Sequence, residues 1–315
     1  MTPRRAFQVM LNVFLILAGL FAVFILAVVP WFGTNIVTTY SFHFPDPNDG
    51  KTPISYGLDF QWINFQSSDG IPLSGWYVPY RPKPHGTIIY CHGMNRTRIE
   101  MLPMAVWGHQ LGYDGLLFDF RHSGMSGGKI STIGYQERLD VEAAVRYALE
   151  QESAARPIVL WGVSMGAAAA LMAAAETPTV NAVISDSTFL SFRQVIIHHV
   201  HLFFHLPSFP VADEIIAWSA WRGHFRPSAF DLRKAVRRIN PRPILFIAVR
   251  HDQRMPPWIA QKLYSLSSSP KKMLVIVPGH VHGEGFNSGR APYEAAVRKF
   301  LADLARPAGK GNRSE

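Results

Sequence analysis

A serine stands between two glycines in the segment Gly162-Val163-Ser164-Met165-Gly166, which follows an apolar run and precedes an alanine-rich stretch. This order predicts a strand, a sharp turn and a helix. A serine on such a turn has a strained backbone, and glycines two residues to either side remove the Cβ atoms that would clash there. The spacing therefore predicts a nucleophile elbow, with the Met165 amide at the start of the helix directed at a developing oxyanion. A chance glycine and serine turn is the alternative.

A nucleophilic serine needs a histidine base and a carboxylate that orients the histidine. At an elbow of this kind the acid and then the histidine follow the serine in the chain. His282 comes just after a predicted strand and precedes a glycine that leaves room above Ser164, and His280 is the alternative. Asp252 follows the preceding predicted strand, and Asp186, after an earlier strand, is the alternative acid. Either aspartate could instead cap a helix.

The loop after the first predicted parallel strand begins with His92, Gly93 and Met94. A loop at that place can supply the second oxyanion amide, which we assign to Met94, whereas we interpret His92 as structural. Farther along, Arg250 and Arg254 flank the predicted acid. Their charges are expected to keep its carboxylate ionised, as an orienting group must be.

The composition bounds the class of protein. The chain has 315 residues, of which 48% are hydrophobic, and this is enough for one large core. The formal net charge is +9, but the basic residues are scattered and only short pairs occur, so no nucleic-acid partner is predicted. The single cysteine, Cys91, excludes an internal disulfide and lies in an apolar strand as a core residue would. The sequence does not fix the oligomeric state.

An uncharged apolar run occupies residues 6–29 and follows Arg4 and Arg5. A helix needs roughly 20 apolar residues to cross a bilayer, so this run can contact and span a lipid membrane. Since no small-x-small cleavage site follows it, we predict an uncleaved transmembrane anchor over residues 1–33 rather than a signal peptide. The first charges after the run are acidic. The positive-inside bias then places the N-terminus in the cytoplasm and the rest on the far side, which is the periplasm in a bacterium.

Beyond the anchor, the patterns divide the chain into three further segments. Residues 34–57 are rich in proline, aspartate and glycine and predict a linker. Strand-like runs at 60–65 and 73–78 flank a turn and predict an antiparallel hairpin. Apolar strand-like runs then alternate with helical stretches, which indicates a mostly parallel, doubly wound α/β sheet. We place this domain at 58–305 and a disordered tail at 306–315.

Together these features resemble the alpha/beta-hydrolase superfamily, in particular the group related to serine aminopeptidases, monoacylglycerol lipases and membrane-anchored hydrolase-domain proteins. The resemblance covers about residues 60–304. Its motifs are the Ser-Asp-Gly hairpin before Leu73-Ser74-Gly75-Trp76, His92-Gly93, Asp119-Phe120-Arg121 with Ser126-Gly127-Gly128, the elbow at Ser164, the turn from Asp252 to Pro256, and Pro278-Gly279 with His282. The resemblance implies an alpha/beta-hydrolase fold and no cofactor. The catalytic groups it implies are Ser164 as nucleophile, Asp252 as acid, His282 as base, and the Met94 and Met165 amides as the oxyanion hole.

An insertion at about 188–238 lies where this family often carries a helical lid. Within it, residues 195–206 are apolar and aromatic and include four histidines: His198, His199, His201 and His205. Their helical spacing makes a metal site conceivable, but no cysteine and few carboxylates are near enough to complete a coordination shell, so no metal ion is predicted. We expect instead an amphipathic lid that covers the Ser164 pocket and touches the membrane.

The sequence therefore predicts a membrane-anchored serine hydrolase that cleaves carboxylic or thio esters, of lipid-like or acyl type, through an acyl-enzyme. The first alternative is a serine aminopeptidase, for which the lid offers only Asp213 and Glu214 to hold a substrate ammonium group. The second is a catalytically silent binding protein on the same fold, against which the complete serine, aspartate and histidine set argues. Residues 248–249 depart from the His-Gly that relatives often have before the acid loop, and this leaves the substrate class open.

Overall fold

The computed structural model describes residues 2–42, 44–151 and 157–305. The predicted tail at 306–315 lies outside these residues. One sheet of eight strands, in the order β1-β2-β4-β3-β5-β6-β7-β8, forms the centre of the molecule. The strands are β1 (Gln61–Gln66), β2 (Pro72–Val78), β3 (Thr87–Cys91), β4 (Asp114–Phe118), β5 (Ile158–Val163), β6 (Ala182–Asp186), β7 (Ile244–Val249) and β8 (Lys272–Val277).

The sheet is antiparallel at one edge and parallel elsewhere. Strands β1 and β2 form the antiparallel hairpin, with Trp62 opposite Trp76, and β2 runs antiparallel to β4. The strands from β4 through β3, β5, β6, β7 and β8 are parallel to their neighbours. Strands β3 to β7 are buried along their whole length, as expected where helices cover both faces. The predicted α/β fold with an antiparallel opening hairpin is thus confirmed.

Eleven α-helices lie in the described part of the chain. They are α1 (Pro3–Val23), α2 (Val29–Thr38), α3 (Leu102–Gln110), α4 (Glu137–Glu150), α5 (Met165–Glu176), α6 (Phe192–Phe204), α7 (Val211–Arg222), α8 (Leu232–Arg238), α9 (Trp258–Leu266), α10 (Gly285–Ser288) and α11 (Arg290–Ala305). Helices α4, α5, α8 and α9 contribute to the hydrophobic core on one face of the sheet, and α3 and α11 to the core on the other. Because the parallel strands are covered on both faces, their carboxyl ends and the loops that follow them lie along the same edge of the sheet.

The N-terminal helix is continuous from Pro3 to Thr38 and contains a π-helical turn at Phe24–Val28. Among the described residues it is the one helix that is long and apolar enough to cross a membrane, and it is compatible with a single-pass anchor or a signal sequence. Only 6% of its most apolar stretch is buried inside the protein, so most of that surface requires another apolar environment.

The C-terminal end of this helix differs from the predicted division into an anchor (1–33) and a linker (34–57). Helix α2 continues to Thr38, and its buried side packs against α7. A Cβ atom at Gly33 would lie 2.5 Å from Ile215 Cδ1, so the glycine permits the close approach of the two helices. Arg222 Nη1 donates hydrogen bonds of 3.0 Å to Asn35 Oδ1 and to Thr38 Oγ1. Composition does not reveal these contacts because they depend on α7, far away in the sequence.

The chain between β6 and β7 forms the helices α6, α7 and α8. An isolated antiparallel bridge between Ser191 and Asp231 joins the beginning and the end of this segment. Phe192 and Phe230 stack at its base with ring centroids 6.1 Å apart, and the ring of Phe225 meets Phe192 edge-on at 5.0 Å. Helices α6 and α7 are thereby held above the sheet edge at which β5 ends.

Candidate active site

Ser164 lies at the sharp turn between β5 and α5. Its backbone has φ 54° and ψ −114°, a conformation that costs a non-glycine residue free energy and persists only where the surroundings impose it. A Cβ atom at Gly162 would lie 2.5 Å from Ala167 N, and one at Gly166 would collide with the carbonyl group of Cys91. Both glycines are therefore needed for strand and helix to meet at this angle. The turn directs the Ser164 side chain into a cavity.

The structure brings Ser164, His282 and Asp252 into one chain of hydrogen bonds. His282 Nε2 lies 2.8 Å from Ser164 Oγ, and His282 Nδ1 lies 2.7 Å from Asp252 Oδ2. Asp252 is buried at the end of β7, and its Oδ1 accepts hydrogen bonds from the amides of Arg254 and Met255 at 2.8 and 2.9 Å. This arrangement can draw a proton from the serine hydroxyl to the imidazole.

The ionisation of Asp252 is maintained by its hydrogen bonds. Burial opposes the charge, but the hydrogen bond and the positive charge of His282 and the amides of Met255 and Arg254 outweigh burial and hold the pKa of Asp252 below its ordinary value. The sequence had suggested the side-chain charges of Arg250 and Arg254 for this task. The structure assigns the task chiefly to His282 and to the amides of Met255 and Arg254, while the charge of Arg254 also interacts with that of Asp252.

The alternative residues lie elsewhere. Asp186 accepts hydrogen bonds from Ser187 Oγ at 2.8 Å and from Tyr293 OH at 2.9 Å. Burial raises its pKa to about 7. The ring of His280 stacks on that of His251 at a centroid distance of 4.7 Å. The Ser164 amide donates a backbone hydrogen bond of 2.8 Å to the carbonyl oxygen of Asp186, but among the described residues neither the Asp186 carboxylate nor the His280 ring is hydrogen-bonded to the side chain of Ser164 or His282.

The two residues predicted for the oxyanion hole lie beside the nucleophile. Met165 is the first residue of α5, so its amide has no carbonyl partner within the helix. Met94 lines the cavity that also contains Ser164. The neighbouring amide of Gly93 is occupied, since it donates a hydrogen bond of 2.6 Å to Glu100 Oε2. This bond fixes the loop that carries Met94.

His92, which we interpreted as structural, is fully buried. Its Nδ1 lies 2.7 Å from the carbonyl oxygen of Gly93, and its Nε2 accepts a hydrogen bond of 3.0 Å from the Phe120 amide. Burial lowers the pKa of His92, which keeps the ring neutral and allows it to accept from that amide. The histidine joins the loops that follow β3 and β4.

Ser164 and His282 open into a cavity of about 540 Å³. Its apolar walls come from distant parts of the chain. The N-terminal helix provides Gly33, Ile36 and Val37, and the segment between β6 and β7 provides Ile196, Phe203, Phe204 and Ile215. A cavity of this size and lining can hold an apolar group next to the serine.

The sequence did not reveal two parts of this site. One is the end of the N-terminal helix, for which the uninterrupted apolar helix beyond residue 33 is the available signal. The other is Glu100, a cavity residue whose pKa burial raises to about 7 against the hydrogen bond from Gly93. A carboxylate seven residues after Gly93, in the turn that follows the predicted oxyanion loop, was its only sequence signal.

The histidines of α6 do not form a metal site. Within residues 2–42, 44–151 and 157–305, no group of three or more histidine, cysteine, aspartate or glutamate side chains is placed to hold a metal ion. His198 Nε2 instead lies 2.8 Å from the carbonyl oxygen of Gln253. This contact links α6 to the loop that carries Asp252.

Comparisons with known proteins agree with this architecture. Residues 82–228 match the family described as "Serine aminopeptidase, S33". The uncharacterized protein Rv2307c of Mycobacterium tuberculosis is 30% identical over 246 residues, which cover 76% of this chain and 78% of that protein. The uncharacterized protein YfhR of Escherichia coli is 26% identical over 301 residues, 91% of this chain and 95% of that protein. The structure of the esterase Pf2001 of Pyrococcus furiosus superposes with a TM-score of 0.69 at 22% identity, and the match covers 84% of this chain and 98% of the esterase.

The fold and the serine elbow at the end of β5 define an α/β protein of hydrolase type. The chain belongs to the alpha/beta-hydrolase superfamily, and residues 82–228 are similar to the family described as serine aminopeptidase S33. The family and the fold support a hydrolase activity.

Proposed function

We propose that this protein is a serine hydrolase that cleaves carboxylic or thio esters of lipid-like or acyl type. The observation that carries the proposal is the continuous hydrogen-bonded chain from Asp252 through His282 to Ser164, which opens into an apolar cavity. The proposed mechanism needs no cofactor.

In this mechanism, His282 Nε2 takes the proton of the Ser164 hydroxyl as Oγ attacks the ester carbonyl carbon. Asp252 holds His282 through Nδ1 and stabilises the imidazolium. The amides of Met94 and Met165 donate hydrogen bonds to the oxyanion. The imidazolium then gives its proton to the leaving alcohol or thiol, and water attacks the acyl-enzyme with His282 again acting as the base.

The cavity lining favours an acyl chain as the group next to the serine. Each methylene buried against these walls contributes about 0.8 kcal/mol. Because helix α2 forms part of the wall, the acyl chain contacts the end of the same helix that we propose to span the membrane.

The helices between β6 and β7 act as a lid. In the proposed topology the N-terminus is cytoplasmic and the catalytic domain lies on the far side.

A series of nitrophenyl esters with acyl groups from acetyl to dodecanoyl tests this proposal, run beside aminoacyl anilides. We expect kcat/KM to rise with chain length until the cavity is filled, and the anilides to be poor substrates. Anilide hydrolysis with no gain from acyl length would contradict the esterase proposal.

A serine aminopeptidase is the second candidate because the matched family bears that description. Such an enzyme needs a carboxylate that receives the substrate ammonium group. Of the two aspartate and glutamate residues that the sequence suggested, Asp213 pairs with Arg193 on the protein surface. Glu100 is the carboxylate that lines the cavity, and it is already bonded to the Gly93 amide. Loss of anilide hydrolysis in Glu100→Gln, with ester hydrolysis retained, would favour the aminopeptidase.

A further inference from the structure

Three basic side chains that the proposed mechanism does not use line the cavity beside the triad. They are Arg96 in the loop after β3, His199 on α6, and Arg254 in the turn after Asp252. Asn95 and Glu100 also line the cavity, but most of the remaining wall is apolar, and basic groups beside an apolar wall indicate a ligand with two chemically different ends.

His199 has an unused hydrogen-bonding atom. Its Nε2 is buried and has no hydrogen-bond partner in the part of the chain that the structure describes. A buried polar atom without a partner costs free energy, so its presence in a cavity points to a ligand that completes it. Burial, and then the positive charges of Arg254, His198 and His282, lower the pKa of His199 to about 3. The neutral ring can donate one hydrogen bond from this nitrogen.

Arg254 is an exposed cation that lines the cavity. Its guanidinium carbon lies 5.8 Å from the centre of the Phe203 ring, and no ion pair of its side chain occurs among residues 2–42, 44–151 and 157–305. Burial lowers its pKa, the charge of Asp252 raises it, and the charge of Arg96 lowers it again. Asp252 is already engaged with His282.

Arg96, which lines the same cavity, is held in place by three contacts. Its Nη1 donates to the carbonyl oxygens of Phe44 and Pro45 at 3.3 and 3.2 Å, and its Nε lies 3.6 Å from Glu100 Oε1. Arg96 and Arg254 line the same cavity, and the positive charge of Arg96 lowers the pKa of Arg254. An anion bound to both would offset this repulsion.

We propose that the basic groups of the cavity bind an anionic group on the leaving-group portion of the ester, so that the substrate is an anionic amphiphile. Arg96 and Arg254 would pair with a phosphate or carboxylate, and His199 Nε2–H would donate a hydrogen bond to it. We assign the charge to the leaving group because the walls left for the acyl chain, which include Ile36, Val37 and Ile215, are apolar. This inference rests on the proposed ester hydrolysis and specifies its substrate class.

The test compares two esters that differ in one group, monodecanoyl glycerol and monodecanoyl glycerol 3-phosphate, using the full-length protein in neutral detergent micelles. The measured quantity is the ratio of kcat/KM for the phosphorylated ester to that for the neutral ester. We expect a ratio above one, and a fall of about tenfold in Arg254→Gln and in Arg96→Gln, because a hydrogen-bonded ion pair is lost in each. His199→Phe should lower the ratio less.

Arg250→Gln is the matched control, because Arg250 is exposed, lies four residues before Arg254 and does not line the cavity. Its ratio should equal that of the wild type. Each variant carries its own internal standard, since the neutral ester reports whether the site is folded.

Decanoyl-coenzyme A, a soluble phosphorylated thioester, separates the two sources of the anion. Preference for it indicates a soluble acyl donor, and preference for the phosphorylated glyceride indicates a membrane lipid.

A ratio at or below one in the wild type, or one that neither arginine variant changes, would overturn the anionic site while leaving the ester hydrolase intact. Absence of turnover for the neutral and both phosphorylated substrates would instead reject the proposed function and, with it, this inference.

Discussion

His282 Nδ1 lies 2.7 Å from Asp252 Oδ2, whereas the buried aspartate at the end of β6, Asp186, accepts its hydrogen bonds from Ser187 and Tyr293. Asp186 ends β6 and Asp252 follows the neighbouring strand β7, and of these two carboxylates Asp252 is the one hydrogen-bonded to the histidine. We expect Asp252→Asn to lower kcat for a nitrophenyl ester by about 10³–10⁴-fold, because the amide no longer holds the required tautomer. Asp186→Asn should stay within about tenfold of the wild type. The reverse order of these effects would transfer the role of acid to Asp186.

Because α2 forms part of the cavity wall, we expect a substitution on α2 to change the acyl chain length that the protein prefers. Val37 lines the cavity, so Val37→Trp should fill part of it and shift the best nitrophenyl ester to a shorter acyl group. Val28→Trp is the matched control, because Val28 lies on the same helix, is exposed and is outside the cavity. An identical chain-length profile in both variants would show that the acyl chain does not reach α2.

Helix α2 ends the proposed anchor and also packs on the catalytic domain, which predicts different results for two truncations. Deletion of residues 1–28 removes the most exposed apolar helix and leaves Val29–Thr38 in place. It should release the protein from carbonate-washed membranes and retain ester turnover. Deletion of residues 1–33 also removes Gly33 and Pro30, which are buried, and we expect a lower Tm and weaker turnover. Full-length protein that carbonate already extracts would contradict the anchor.

The buried Asp186 predicts a pH dependence of stability. Burial raises its pKa from 3.8 to about 7, and unfolding restores the ordinary value. The folded state therefore retains a proton that the unfolded state releases. This contribution to stability is present in full below about pH 4 and is lost as the pH rises through about 7, by at most about 1.4 kcal/mol per pH unit.

Asp186→Asn cannot titrate at this position, so its Tm should fall less than that of the wild type between about pH 5 and pH 8. Thermal unfolding of both proteins at the two pH values measures the difference. Other buried acids, Glu100 and Asp140, titrate in both proteins and cancel in the comparison. Equal losses of Tm would show that Asp186 keeps an ordinary pKa.

The local sequence was sufficient to predict a structural feature wherever that feature has a local cause. The elbow at Ser164 was predictable because Gly162 and Gly166 alone make the strained turn possible, and the opening hairpin follows from a short polar turn between two apolar runs. The order of strands and helices likewise indicated the sheet.

Features that depend on distant partners were not predictable. The composition of residues 34–57 suggested a linker, yet residues 34, 35 and 38 are buried because Gly33 allows α2 to pack on Ile215, 182 positions later in the chain (215 − 33). The sequence alone predicted that Arg254 lies near the acid. It did not predict that the Arg254 backbone amide bonds to Asp252 or that its side chain lines the cavity. Packing between distant parts of the chain determines these features.

The central claim is that Ser164 is an activated nucleophile, and labelling by a fluorophosphonate probe tests it most directly. Such a probe reacts with a serine that a neighbouring base deprotonates and not with ordinary hydroxyl groups. We expect the full-length protein to be labelled at Ser164, the label to be absent in Ser164→Ala, and labelling to slow by orders of magnitude in Asp252→Asn. A folded protein that stays unlabelled, or a label on a different serine that persists in Ser164→Ala, would contradict the account.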